Sequence, residues 1–175
     1  MTRKLLSGVL ILVVAFFAYD FFLKKPDFSN GAVAPDFTTT LINDQPFALS
    51  DLRGNYVLLD FWGSWCGPCI REIPGLIQLH NEYYNRDFKD ADNFHIVSVA
   101  LEKSDKMTKR IIESRGLDWE HHIIDVSNIV MMSSIGQLYD VKELPTKFLI
   151  NPEGRIMGTD LPLQEMKRLL DARIQ

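Results

Sequence analysis

Residues 56–62 form a seven-residue run that is apolar apart from Asp60, and the chain passes from it directly through two cysteines into a helix-compatible segment. An unbroken apolar run of that length suits a strand buried on both faces at the centre of a sheet. The cysteines, Cys66 and Cys69, are the only two in 175 residues. The strand-to-helix passage places Cys66 at or next to a helix N-terminus, where unpaired N–H groups and the helix dipole favour a thiolate. Cys69, three positions on, lies within reach to form a disulfide, and Pro68 is tolerated in a first helical turn. The chemistry expected of the pair is reversible dithiol–disulfide exchange. Cys66 attacks, a mixed disulfide forms, and Cys69 resolves it.

Two other readings of a Cys-x-x-Cys pair compete with this one. Structural zinc needs four Cys or His ligands. The four histidines, His80, His95, His121 and His122, are not spaced as a second ligand pair, so no metal is expected. A purely structural disulfide would close a loop so short that it removes little chain entropy. Adjacent side chains in a strand point to opposite faces, so one member of the tandem His121-His122 is expected to be exposed.

The chain divides into three parts: residues 1–25, 26–33 and 34–175. Residues 5–23 are apolar except for Ser7, Gly8, Tyr19 and Asp20, with Arg3 and Lys4 before them and Lys24-Lys25-Pro26 after. Nineteen residues at about 1.5 Å each span roughly 28 Å, close to the hydrocarbon thickness of a bilayer. The alternative is a cleaved secretory signal, whose apolar core is usually about 7 to 15 residues long and ends in small residues; Phe16-Phe17-Ala18-Tyr19 is a poor cleavage site. An uncleaved anchor is the favoured reading, with membrane lipid contacted through residues 5–23. Its flanking charges are nearly balanced, and the free amino terminus tips the orientation toward N-in. The domain would then face the periplasm or cell exterior, or be periplasmic if the segment is cleaved. Residues 26–33 read as a linker, and residues 34–175 as one domain with room for a single core. Removing Arg3, Lys4, Lys24, Lys25 and Asp20 leaves 15 Lys+Arg against 22 Asp+Glu, a net charge of −7, which disfavours nucleic acid as a partner.

Apolar periodicity predicts the elements of that domain. Residues 37–42 and 47–49 flank Asn43-Asp44-Gln45-Pro46 as a small hairpin or two short strands, and Arg53-Gly54-Asn55 is a turn. Strands are expected at 56–62, 95–101, within 119–126, at 147–150 and at 155–158, the last two joined by Asn151-Pro152-Glu153-Gly154. Helices are expected at 70–88, interrupted early by Pro74, at 104–114 with Gly116 as C-cap, from a cap at Ser127 toward Leu138, and at 163–174. Strands alternating with helices indicate an α/β fold with a mixed central sheet covered by helices on both faces.

Asp60-Phe61-Trp62-Gly63-Ser64-Trp65-Cys66-Gly67-Pro68-Cys69 resembles the active-site segment of the thioredoxin superfamily across its whole length. Pro74 matches that family's helix-kinking proline, Leu144-Pro145-Thr146 its cis-proline loop, and residues 148–154 the strand and turn that follow. Ala34-Pro35-Asp36-Phe37, the extra strands before Tyr56 and the apolar N-terminus are similar to the TlpA/ResA branch. Its members are membrane-anchored thiol–disulfide oxidoreductases related to the AhpC/TSA proteins. The resemblance implies a thioredoxin-like fold with extra N-terminal strands, a preceding transmembrane helix, no cofactor, protein thiols and disulfides as substrates, and a membrane electron donor. It also implies roles for particular residues. Asp60 corresponds to a buried carboxylate that takes the proton from Cys69, its pKa raised by burial. Glu72 matches a glutamate that tunes the cysteines, and one helical turn would bring it near Cys69. Pro145, following a cis bond, would offer a backbone edge to a substrate peptide, with Leu144 and Thr146 beside it and Trp65, Gly67 and Pro68 completing the contact surface. Trp62 is either part of that surface or part of the core. Gly67 stands where ResA-like proteins often carry a charged residue. The resulting Cys-Gly-Pro-Cys favours reducing chemistry over a dedicated role in cytochrome c biogenesis. Two other functions stay open: a thiol peroxidase, although no Pro-x-x-x-Thr-x-x-Cys loop is present, and a non-catalytic binding module of a membrane complex.

Overall fold

The computed structural model describes residues 12, 13, 28, 30–128 and 132–175. The anchor expected at residues 5–23 and the start of the linker lie outside the described residues, Leu12 and Val13 apart. Among the described residues no helix is long and apolar enough to cross a membrane.

Two short strands, β1 (Thr38–Thr40) and β2 (Pro46–Ala48), pair as an antiparallel hairpin, and a 3₁₀ turn follows at Leu49–Leu52. The remaining elements are β3 (Tyr56–Trp62), α1 (Gly67–Tyr83), β4 (Phe94–Glu102), α2 (Lys106–Arg115), β5 (His121–Val126), α3 (Ser134–Leu138), β6 (Thr146–Ile150), β7 (Ile156–Thr159) and α4 (Leu163–Asp171). The main sheet has the order β5-β4-β3-β6-β7. Strands β3, β4 and β5 are parallel, whereas β6 and β7 run antiparallel to them. The sheet is therefore mixed, with β3 at its centre and every residue of β3 buried.

Strand alternation sorts the sheet residues onto two faces. Tyr56, Leu58 and Trp62 of β3 join Ile73, Leu76, Leu79 and Tyr83 of α1 and Met166 and Leu170 of α4 in one cluster. Val57, Leu59 and Phe61 point the other way, into a cluster built from Phe37, Phe47, Leu49 and Leu52 of the N-terminal hairpin and turn, and from Ile135 and Tyr139. Helices do cover both faces, unequally. The second face has the five-residue α3 and is closed mainly by the extra N-terminal strands. Each fully buried Leu on these seams contributes about 2 kcal/mol of transfer free energy. At the boundary of the expected linker, Phe28 stacks on Tyr139, and Ala34 N–H donates to Gly154 O at 2.9 Å.

Several boundaries differ from the sequence expectation for local reasons. Helix α1 begins at Gly67 and runs through Pro74 to Tyr83. It stops short of Phe88, because Asn85 takes a left-handed φ of 63° and Phe88 pairs with Ile174 in an isolated bridge. Gly116, at φ +66°, caps α2 as expected. Of the helix expected from Ser127 toward Leu138, the described residues hold Ser134–Leu138. Ser127 N–H instead donates to Glu102 O, and Ile135 N–H donates to Asp125 Oδ2 at 2.7 Å. The carboxylate at the end of β5 thus satisfies an N–H in the first turn of α3.

Candidate active site

Cys66 is the N-cap of α1, with extended backbone, and its Sγ accepts the Cys69 N–H at 3.2 Å. This follows from the local sequence: Pro68 supplies no N–H in the first turn, so the Cys69 N–H is the donor free to reach the cap. The two sulfurs form a disulfide, with Cα atoms 5.3 Å apart. Cys66 and Cys69 are 5% and 3% exposed, while Gly67 and Pro68 beside them are exposed. The two flanking tryptophans part company. Trp62 is buried in the α1 cluster, whereas Trp65 is 56% exposed. The Trp65 indole N–H donates to Leu101 O at 3.0 Å, which fixes the ring and leaves it facing solvent. A Cβ at Gly63 would lie 2.8 Å from that indole nitrogen, so only glycine there lets Trp65 fold back onto β4.

Asp60 lies on the face of β3 turned toward α1 and is 3% exposed. Burial pushes its carboxyl up from 3.8 to about 7, Lys147 opposes the rise and Glu72 adds to it. Lys147 is the residue that sequence reasoning missed. It stands opposite Asp60 in the β3–β6 register, is itself buried, and donates from Nζ to Glu72 Oε2 at 2.8 Å. Glu72, whose side chain is one-third exposed, is therefore one partner of a buried ammonium rather than a free helical carboxylate. Asp60 and Lys147 of the sheet and Glu72 of α1 thus bring two acids and one base together. The signal available in the sequence was Lys147 alternating with Leu149, on the same face as Asp60 once the register is known.

The polar character continues across the sheet. Lys147, Asp60, Ser98 and His122 are opposite one another in successive strand pairs, forming a buried row beneath an otherwise apolar helix layer. Trp119 Nε1–H donates to Ser98 Oγ at 3.0 Å and its ring stacks on His122 at 5.2 Å. The expectation that one of His121 and His122 is exposed is incorrect. His121 is partly buried against Phe47 and His95, and His122 is fully buried. The N-terminal hairpin covers one face of β5 and Trp119 the other. Burial lowers the pKa of both, that of His122 to about 4. Among the described residues no group of three or more His, Cys, Asp or Glu side chains is placed to hold a metal ion.

The Leu144–Pro145 bond is cis. Leu144 packs against the cluster that holds Cys66 and Cys69, and Leu144 and Pro145 are half-buried. Thr146 is buried, pairs with Phe61 in β3, and donates its hydroxyl to Glu143 O at 2.8 Å, so its side chain braces the loop from inside.

A cysteine pair capping the helix that packs on the central strand, with a carboxyl buried on that strand, can cycle between dithiol and disulfide. The fold and site define a thiol–disulfide oxidoreductase of thioredoxin-like architecture. Comparison with known proteins narrows this. Residues 30–158 match the AhpC/TSA family, and the chain belongs to that family, as a TlpA/ResA-like member. It is 34% identical over 155 residues to the thiol–disulfide oxidoreductase ResA of Bacillus subtilis, covering 86% of this chain and 80% of that protein. It is 31% identical over 173 residues to the ResA of Bacillus thuringiensis, covering 95% and 93%. Among solved structures it is similar to the thioredoxin domain of a thiol–disulfide oxidoreductase from Bacteroides vulgatus. That match has a TM-score of 0.67 and 26% identity over 81% of this chain and 98% of the other.

Proposed function

We propose that the chain reduces protein disulfides outside the cytoplasm, tethered by residues 5–23, with residues 26–33 as linker and 34–175 as the working domain. The observation that carries this reading is the Cys66–Cys69 pair at the N-terminus of α1, above a carboxyl whose proton affinity burial brings to about 7. In the reduced state the Cys66 thiolate, favoured by the helix terminus, attacks one sulfur of a substrate disulfide and releases the other as a thiolate. Cys69 then gives its proton to Asp60 and attacks Cys66 Sγ. The second substrate sulfur leaves, and the Cys66–Cys69 disulfide closes. Two electrons pass from the cysteine pair to the substrate, and a membrane electron donor returns them. Glu72 acts through Lys147, setting the charge that Asp60 experiences. Leu144 and Pro145 offer the backbone edge on which an extended substrate segment lies, Trp65, Gly67 and Pro68 form the rest of that surface, and Thr146 holds the loop.

The direction of electron flow is tested by equilibrating the full-length chain with a dithiol buffer. A two-electron couple near or below about −250 mV marks a reductant that needs an external supply, and a value above about −180 mV marks an oxidant or isomerase and overturns the direction. Peroxide consumption without an added dithiol acceptor would favour a thiol peroxidase instead. Absence of any reversible couple would favour a binding module.

A further inference from the structure

Next to Trp65, the end of β4 and the start of α2 border an open cavity of about 430 Å³, lined by Ser64, Trp65, Glu102, Lys103, Ser104 and Met107. Ser64 and Trp65 immediately precede Cys66 in the chain, so the cavity adjoins the segment that carries the reacting sulfur. Glu102 is only 4% exposed. Its two hydrogen bonds, from the Ser64 N–H and from the Thr108 hydroxyl, both fall on Oε1. Oε2 has no side-chain or backbone donor among the described residues, and none of the ion pairs formed there includes Glu102. Glu102 lines the cavity with that second oxygen uncommitted, so a charged donor entering there has an acceptor to meet. The walls supply what an incoming cation needs besides charge. The Trp65 ring is pinned through its N–H to Leu101 O and stays more than half exposed, as does half of Met107. An arginine or lysine can lay its aliphatic stem along such apolar surface, its charged head against the indole face and the carboxylate. The cations nearest this carboxylate in sequence are exposed. Lys103 is at the cavity lining, Lys106 opens α2, and Lys109 is paired with Asp105 at 2.7 Å.

We propose that this cavity binds an arginine or lysine side chain of the substrate polypeptide, close to the cysteine under attack, so that substrates with a basic residue beside their disulfide are preferred. This rests on the thiol–disulfide exchange proposed above and adds to it the class of sequence on which the exchange acts.

The experiment uses two synthetic peptide disulfides, identical except for Arg or Glu beside each cysteine, and the full-length chain reduced beforehand. The quantity read is the ratio of kcat/KM for the Arg peptide to that for the Glu peptide, at 0.05 M and about 0.5 M salt. A ratio on the order of tenfold is expected. Part of it should survive high salt, because screening acts on the exposed charges of an acidic domain far more than on a buried carboxylate. Glu102→Gln should bring the ratio close to one. Met107→Lys, which places a like charge in the cavity without touching the Glu102 hydrogen bonds, should do the same. Lys103→Glu, at an exposed position, should raise the ratio. A wild-type ratio near one, or a ratio abolished by salt, overturns the cavity assignment while leaving the exchange reaction standing. So does a ratio that both Glu102→Gln and Met107→Lys leave unchanged. Failure to reduce either peptide would instead overturn the function on which the assignment rests.

Discussion

Replacing Asp60 with asparagine removes the proton site while keeping the shape of the buried side chain. In the folded chain that carboxyl holds its proton up to about pH 7 instead of 3.8. The unfolded chain releases it near the ordinary value, so between these two pH values the folded state binds the extra proton. Stability therefore falls as pH rises through that window. A shift of about three units corresponds to roughly 4 kcal/mol, an upper figure because Lys147 and local relaxation share the charge. Asp60→Asn should match the wild type in stability near pH 4 and exceed it by up to about 4 kcal/mol at pH 8. The measurement is urea unfolding of the oxidised chain at half-unit pH steps, wild type against variant, so that slopes from all other groups cancel in the difference. A difference that stays constant from pH 4 to 8 would refute the buried-carboxyl argument. The functional counterpart is single-turnover kinetics. Wild-type resolution of the mixed disulfide should accelerate with an apparent pKa near 7, and Asp60→Asn should slow resolution more than initial attack and lose that inflection. Equal resolution rates in the two proteins would remove Asp60 from the proton-transfer role.

Lys147→Met leaves Glu72 and Asp60 without the ammonium between them; the inflection in resolution should move to higher pH, with a stability loss of about 1–3 kcal/mol, because Glu72 retains access to water. The double variant Lys147→Met with Glu72→Gln should recover most of that stability in urea unfolding, and no recovery would show that the pair is not coupled. His122 has the opposite pH sign to Asp60. Its folded pKa is lowered to about 4, so the unfolded chain takes up the proton first, and stability drops by about 3 kcal/mol as pH falls from 6.5 to 4. His122→Gln, which keeps a donor toward Leu117 O, should remove that slope and leave the rise contributed by Asp60; an unchanged slope would show that His122 is not the group responsible. Cys69→Ser should accumulate substrates covalently on Cys66, read as a mass shift reversed by dithiothreitol, and their absence would argue against Cys66 as the attacking sulfur.

What the sequence made legible was local. The central strand was visible because seven consecutive residues share one environment, and the cysteine cap because Cys66, Pro68 and Cys69 lie within one turn of chain. The charge partners of Asp60 were not visible, because Glu72 and Lys147 are 75 residues apart, and only the pairing of β3 with β6 brings the lysine opposite the aspartate. A lysine within a short strand reads as a solvent-facing position, and nothing local reports that α1 lies over it. The histidines failed for a related reason. Alternation does place His121 and His122 on opposite faces, but the rule says nothing about whether each face is covered, and here Phe47 and Trp119 cover both.

The same distinction separates the reaction from its tuning. Cys-Gly-Pro-Cys at a helix N-terminus specifies which atoms exchange electrons, since the attacking and resolving sulfurs are fixed by the chain itself. The proton inventory beneath the cysteines is fixed elsewhere: by burial of Asp60, by one lysine from a strand distant in sequence, and by a glutamate that the lysine engages. With leucine at position 147 the same four residues would stand over a buried aspartate without its countercharge, and burial would hold that carboxyl protonated to still higher pH. In the proposed exchange, the pH range over which this dithiol resolves a mixed disulfide is therefore a property of the β3–β6 register as much as of the cysteine motif. Comparing the resolution profiles of Lys147→Met and wild type measures how much of it the motif alone supplies.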